Sequence, residues 1–286
     1  MHTTLASAAE LAARLDDPAW IIVDVRHDLA QPERWGEAQY RAAHLPGARF
    51  AHLDADLSAP KTGRNGRHPL PTPEHCVALF GRLGIEAGRQ VVAYDQGSGM
   101  FASRLWWMLR WLGHDAVAVL DGGFAAWQRA GLPTTDVVPD PRPARFVPVR
   151  SAAAIAAATV DAAALEAALA AGTLTLVDAR APERFRGEVE PLDPVAGHIP
   201  GSRNRPFAAN VGADGIFKPA GVLRAEYAAL LAGRPLDSVV HLCGSGVTAC
   251  HNLLAMEIAG MSGTRLYPGS WSEWCADPAR PVARGN

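Results

Sequence analysis

One cysteine in a glycine-bearing turn carries most of the chemistry available to this chain. The segment His241-Leu-Cys243-Gly-Ser245-Gly-Val-Thr248-Ala-Cys250 puts Cys243 at the end of an apolar run, with Gly244 and Gly246 just beyond it. Two glycines in a short strand-to-helix turn let several backbone N–H groups converge on one point. A helix opening at Val247 or Thr248 adds the partial positive charge of its N-terminus. Such a cradle prefers an anion, and a thiol held in it ionises more readily than a free one. Cys243 is therefore the candidate nucleophile. Gly244, Gly246, Val247 and Thr248 are the candidate anion-binding positions, and Ser245 is the hydroxyl placed among them. Cys76, Cys250 and Cys275 have no such setting and read as buried, inert thiols.

The elements that position this turn can be read from the apolar pattern. Ile21–Val25, Gln90–Tyr94, Ala116–Leu120, Leu174–Val177, Ser238–Leu242 and Thr264–Leu266 are short apolar runs bounded by turn signals, which predicts buried strands. Helical stretches such as Phe101–Leu112 and Val247–Ala259 lie between them. Alternating strand and helix implies an α/β fold with parallel sheets flanked by helices. Ligands of such sheets sit beyond the carboxyl ends of the strands, where Cys243 falls. Trp106, Trp107 and Trp111, at helical spacing, read as packing residues.

The pattern occurs twice. Trp20-Ile-Ile-Val-Asp24-Val-Arg26 is followed eighteen positions on by His44-Leu-Pro-Gly47; Leu174-Thr-Leu-Val-Asp178-Ala-Arg180 is followed at the same spacing by His198-Ile-Pro-Gly201. Val91-Val-Ala-Tyr-Asp95 matches Val239-Val-His-Leu-Cys243, and Gly122 and Phe124 match Gly269 and Trp271. So long a unit is a duplicated domain, not a solenoid repeat. Pro133, Pro139, Pro141, Pro143 and Pro148 mark an extended connector. The division expected is a first domain over 1–135, a linker over 136–149 and a second domain over 150–286. Asp24 with Arg26, and Asp178 with Arg180, read as structural ion pairs. His44 and His198 read as turn-stabilising in both copies.

Composition narrows the classes of function. In 286 residues, 49% are hydrophobic and 20% charged, which supports ordinary globular cores. Lys+Arg 27 against Asp+Glu 29 leaves a net charge of −2 and no basic stripe, so nucleic acid is not an expected partner. No apolar run is long enough to span a membrane, and the first twenty residues lack the pattern of a signal peptide, so a cytoplasmic location is expected. No Cys-x-x-Cys pair occurs, and Cys and His adjoin only as His75-Cys76 and Cys250-His251, far apart in the chain, so no metal is expected. Gly244 and Gly246 lack the third glycine and later acid of a dinucleotide site, so no cofactor is expected either.

The Cys243 turn, the paired Asp-x-Arg and His-[Leu/Ile]-Pro-Gly motifs and the glycine–tryptophan stretch near the end together resemble the tandem rhodanese-domain sulfurtransferases, over nearly the whole chain. The turn is more similar to that of the 3-mercaptopyruvate sulfurtransferases than to that of thiosulfate-using rhodaneses, whose loop carries Arg-Lys after the cysteine. The resemblance implies a catalytic second domain and a degenerate first one, with Asp95 standing where Cys243 stands. It implies a Cys243 persulfide, formed from a small-molecule sulfur donor. That persulfide is discharged to cyanide or to a thiol such as thioredoxin or a low-molecular thiol. It also implies that Arg184 anchors the donor carboxylate, and that Asp54 and His68 form a proton relay with Ser245. A second arginine expected near Glu190-Pro-Leu192-Asp193 is missing, a leucine standing there; Arg186, Arg203 and Arg205 are candidates to replace it. A monomer is the default for such a two-domain chain.

Three other readings compete. Thiosulfate could be the donor to the same cysteine, but a dianion would gain from cationic side chains that the turn does not supply. A phosphatase of the Cys-x5-Arg type would need arginine where Ala249 stands. A non-catalytic binding module would not need Cys243 with both its glycines.

Overall fold

Short runs of Val, Ile, Leu and Ala between turn residues form the central strands, as expected of sheets covered on both faces. In the computed structural model, which describes residues 1–285, the strands are β1 (Leu5–Ala6), β2 (Trp20–Asp24), β3 (Arg49–Phe50), β4 (Gln90–Tyr94), β5 (Val117–Leu120), β6 (Thr175–Asp178), β7 (Arg203–Asn204), β8 (Val239–Leu242) and β9 (Arg265–Leu266). They make two parallel sheets, ordered β1-β5-β4-β2-β3 and β7-β6-β8-β9. β4 and β8 are central and buried along their whole length. A parallel bridge from Thr159 to Leu266 takes in the second sheet the place that β1 takes in the first.

The chain divides into two compact units that are not continuous in sequence. The first holds Met1–Ala59, Pro71–Ala152 and Gly212–Phe217; the second holds Pro60–Leu70, Ala153–Val211 and the chain from Lys218. The proline-rich stretch expected as a connector lies within the first unit. There the Ala144 N–H donates to Gly81, the Val149 N–H donates to Leu112, and buried Phe146 meets Phe80 at 5.0 Å. Trp106, Trp107 and Trp111 are buried in the same unit.

Each unit is built on the same ion pair. After β2, the Arg26 guanidinium forks onto Asp24 at 2.7–3.1 Å, donates to the Ala43 carbonyl and lies 4.2 Å from the Phe124 ring centre. After β6, Arg180 forks onto Asp178 at 2.7–3.1 Å, donates to the Gly197 carbonyl and lies 4.8 Å from the Trp271 ring. Burial works against the Arg180 charge, but Asp178, Glu190 and the Cys243 sulfur together hold its pKa above the usual value. His44 and His198 also match: each Nδ1 meets a carbonyl, of Tyr40 at 2.7 Å and of Phe185 at 2.8 Å, and each ring stacks on that residue's ring.

Removing one partner of a buried pair leaves the other charge without compensation. Asp24→Asn should therefore lower the stability of the first unit by about 3–5 kcal/mol, read by denaturant unfolding. A loss below about 1 kcal/mol would show that the pair does not support the fold.

Candidate active site

β8 ends at Leu242, and the helix Thr248–Ile258 begins five residues after Cys243. Between them the backbone curls around the sulfur. The Gly246 N–H points at Cys243 Sγ at 3.1 Å and the Ser245 N–H at 3.4 Å. The curl needs Gly246, which has φ +79°, and a side chain there would run into the Pro268 carbonyl. Val247, at the helix cap, makes no side-chain hydrogen bond, so the amides of the first turn are not capped by the cap residue itself.

A second segment clamps this curl from behind. The Cys243 N–H donates to Ser270 Oγ at 3.1 Å, the Trp271 N–H to the Cys243 carbonyl at 3.0 Å, and the Ser272 N–H to the Gly244 carbonyl at 2.9 Å. Ser270 holds φ +54°, a left-handed backbone costing about 1–2 kcal/mol outside glycine. Its hydroxyl makes the position useful, since it accepts from Cys243 and donates to the Tyr267 carbonyl.

Cys243 is only 2% exposed. Beside it, His68 Nδ1 lies 2.7 Å from Ser245 Oγ, both residues being buried. His68 belongs to this unit because Pro60–Leu70 packs within it. Asp54 belongs to the first unit, half-buried after β3, where its N–H donates to His52 Nδ1 at 3.1 Å. Arg184 is not a loose surface arginine. Its Nη2 meets Glu190 at 2.6 Å and Asp193 at 3.3 Å, and its side chain is 17% exposed.

The three arginines considered as replacements are held elsewhere. Arg186 pairs with the exposed Glu188, Arg203 donates to the Leu230 carbonyl, and Arg205 binds Glu226 and Asn210. Arg67 was missed by sequence reasoning. It forks onto Asp193 at 2.9 and 3.2 Å, and its neighbour His68 was the only signal in the sequence.

The first unit carries the same turn with another occupant. Asp95 follows β4 and fills the cradle with its own carboxylate, accepting the N–H groups of Gly97, Gly99, Phe101 and Ala102 at 2.8–3.2 Å. Among the described residues, His27, His52 and Asp54 bring possible ligand atoms within 4.8 Å of one another. There His52 Nδ1 already accepts the N–H groups of Asp54 and Ala55.

Comparison with known proteins shows the family and the fold. The rhodanese-like domain model matches residues 7–130 and 161–277. A Pseudomonas aeruginosa protein provisionally named 3-mercaptopyruvate sulfurtransferase is 50% identical over 284 residues, 99% of this chain and 98% of its own. A Mycobacterium tuberculosis protein, provisionally named thiosulfate sulfurtransferase SseB, is 42% identical over 288 residues, 98% and 97% of the two chains. The crystal structure of SseA from Escherichia coli, described as a 3-mercaptopyruvate sulfotransferase, superposes with a TM-score of 0.80 at 33% identity, covering 94% of this chain and 99% of that one.

The four cysteines are free thiols and should differ sharply in reactivity. Burial pushes Cys76 up to about 12 and Cys275 up to about 11. At pH 8 Cys76 is then about one part in ten thousand thiolate. Iodoacetamide with peptide mapping should label Cys243 first, and Gly246→Ala should slow that labelling at least about tenfold by straining the turn. Equal rates at Cys243 and Cys76 would sink the activated-thiolate reading.

Proposed function

Because this chain belongs to the rhodanese-like family, with two tandem copies of the domain, we propose that it is a sulfurtransferase taking sulfur from 3-mercaptopyruvate onto Cys243 and passing it to a thiol or to cyanide. The observation that carries this reading is the pair of backbone N–H groups aimed at Cys243 Sγ, in a chain half identical to a protein of that name.

The chemistry follows from the atoms in place. The Cys243 thiolate attacks the donor sulfur, an S–S bond forms, and the C–S bond breaks with its electron pair on carbon. The leaving group is the enolate of pyruvate. The proton from the donor thiol ends on the enolate carbon, giving pyruvate and an anionic Cys243 persulfide. Ser245 and His68, 2.7 Å apart, are placed to carry that proton. Asp54 keeps its place in this relay on the motif alone. The amides that hold the thiolate also hold the persulfide. In the second half-reaction the acceptor attacks the outer sulfur and leaves the Cys243 thiolate, a ping-pong cycle.

Arg184 fixes the donor carboxylate. Ser245 and Gly246 supply the amides on the sulfur, and Gly244, Val247 and Thr248 are assigned to the rest of the cradle. The second domain does the chemistry and the first does not, since Asp95 fills the corresponding turn. Action as a monomer is the default for two such domains in one chain. Among the described residues no helix is long and apolar enough to cross a membrane. A compartment that keeps the four thiols reduced suits the mechanism, and the cytoplasm is one. Thiosulfate is the alternative donor, favoured by the SseB name of the relative at 42% identity.

Intact mass after incubation with 3-mercaptopyruvate should rise by one sulfur, and Cys243→Ser should abolish the gain. Ser245→Ala should lower kcat about ten- to a hundredfold while leaving Cys243 open to alkylation. Faster turnover of thiosulfate than of mercaptopyruvate, as kcat/KM, would reverse the donor assignment.

A further inference from the structure

Arg67 stands on a loop pinned to the segment that clamps the nucleophile. Its backbone N–H donates to Ser272 Oγ at 3.0 Å, while the Ser272 N–H donates to the Gly244 carbonyl at 2.9 Å. Gly66, with φ +84°, sits against the Gly269 backbone and lets the loop approach this closely. One serine thus ties the loop of Arg67 to the turn of Cys243.

The guanidinium is aimed as well as anchored. Asp193 is 2% exposed in its side chain and takes Arg67 Nε and Nη2 on its two oxygens at 2.9 and 3.2 Å. The same carboxylate takes Arg184 Nη2 at 3.3 Å. A methyl group built on Gly244 would meet Arg67 Nη2 at 2.7 Å and Arg184 Nη1 and Nη2 at 3.5 and 3.6 Å, its three nearest heavy atoms. Two guanidinium groups therefore lie over the residue that follows the nucleophile. Arg67 remains 25% exposed and Arg184 17%, so both can meet a ligand.

From this geometry we infer that Arg67 and Arg184 form a two-arginine clamp for the carboxylate of the sulfur donor, with Arg67 as its specificity-determining half. Each guanidinium has five N–H donors, and the fork onto Asp193 uses only two of those of Arg67. A planar carboxylate is the group that such edges fit. Charge decides between donors. Arg67, Arg180 and Arg184 are matched one for one by Asp178, Glu190 and Asp193 through the observed pairs. The clamp thus offers directed hydrogen bonds with little surplus positive charge. A monoanionic keto-acid thiol gains from that more than a dianion does. The donor's identity and the part of Arg184 rest on the function proposed above; a contact from Arg67 to a carboxylate arriving at Cys243 does not.

Paired alkylating reagents separate the two. Iodoacetate carries a carboxylate beside its reactive carbon, and iodoacetamide is its neutral analogue. Arg67→Leu should lower the ratio of iodoacetate to iodoacetamide rates at Cys243 about tenfold, the size expected for one charge-assisted contact. The iodoacetamide rate should stay within about twofold, and Arg67→Lys should recover part of the ratio. With mercaptopyruvate, Arg67→Leu should raise KM about tenfold with a much smaller change in kcat. An unchanged ratio, or equal slowing of both reagents, would overturn the clamp and leave Arg67 a purely structural ion-pair partner. A protein that gains no sulfur from mercaptopyruvate yet loses the iodoacetate preference on Arg67→Leu would keep the clamp and retire the donor.

Discussion

Backbone N–H groups converging on one side-chain atom, where a central parallel strand turns into a helix, are the constraint on which the proposed site depends. The peptide backbone supplies this field whatever side chain occupies it. The two units of this chain show the same turn with different occupants. In the first, both oxygens of Asp95 are consumed by four amides, so the cradle is saturated by its own side chain. In the second, a single sulfur takes two amides at longer range. A thiolate sulfur can bond a second sulfur, the negative charge then passing to the outer atom of the persulfide. A carboxylate so held has no comparable chemistry. One residue choice therefore separates a structural turn from a reactive one.

The field has to be aimed, and much of the surrounding sequence serves that end. Gly246 gives the curl its left-handed residue, and Ser270 accepts the Cys243 N–H from a strained backbone position. Trp271, whose N–H fixes the Cys243 carbonyl, is also the ring beneath Arg180. Arg180 in turn holds Asp178 at the end of β6, the strand beside β8. The path from core tryptophan to nucleophile is thus a few hydrogen bonds long. Displacing Trp271 would disturb the sulfur's surroundings as well as the core.

The sequence made some of this legible and hid the rest for physical reasons. β2, β4, β5, β6 and β8 stand within one residue of the runs that predict them, because a strand buried on both faces needs an unbroken apolar run. β1, β3, β7 and β9 are two residues long, too short for any periodicity to register, and of these only β9 was marked, by the turn signals around Thr264–Leu266. The Cys243 turn was readable because glycines after a strand have a conformational meaning that survives without coordinates. The exchanged segments were not. Pro60–Leu70 and Gly212–Phe217 are short, turn-rich stretches with no periodic apolar face, so nothing in their pattern signals which unit they join. Arg67 was hidden for the same reason. The prolines of residues 133–148 correctly announced extended chain, but extension does not distinguish a free connector from one docked through Phe146.

The ionic cluster near the Cys243 turn is where the proposed binding role and stability pull apart. A buried ion pair is a poor stabiliser, since desolvation offsets most of the attraction. The pair common to both units, aspartate at a strand end with arginine two residues on, is explained by the fold it braces in each. In the second unit that pair is extended: Arg180 reaches Glu190, Glu190 holds Arg184, and Asp193 joins Arg184 to Arg67. Packing alone gives no reason for the extension, because apolar residues of similar volume would fill the space at lower desolvation cost. What the carboxylates add is orientation. Held at Asp193 and Glu190, the two outer guanidiniums keep fixed geometry over Gly244 and lose little freedom when an anion arrives. In the proposed clamp the acids also cancel the surplus charge that would otherwise draw any anion to Cys243. Selectivity would then rest on the shape and direction of hydrogen bonds, as suits a carboxylate donor.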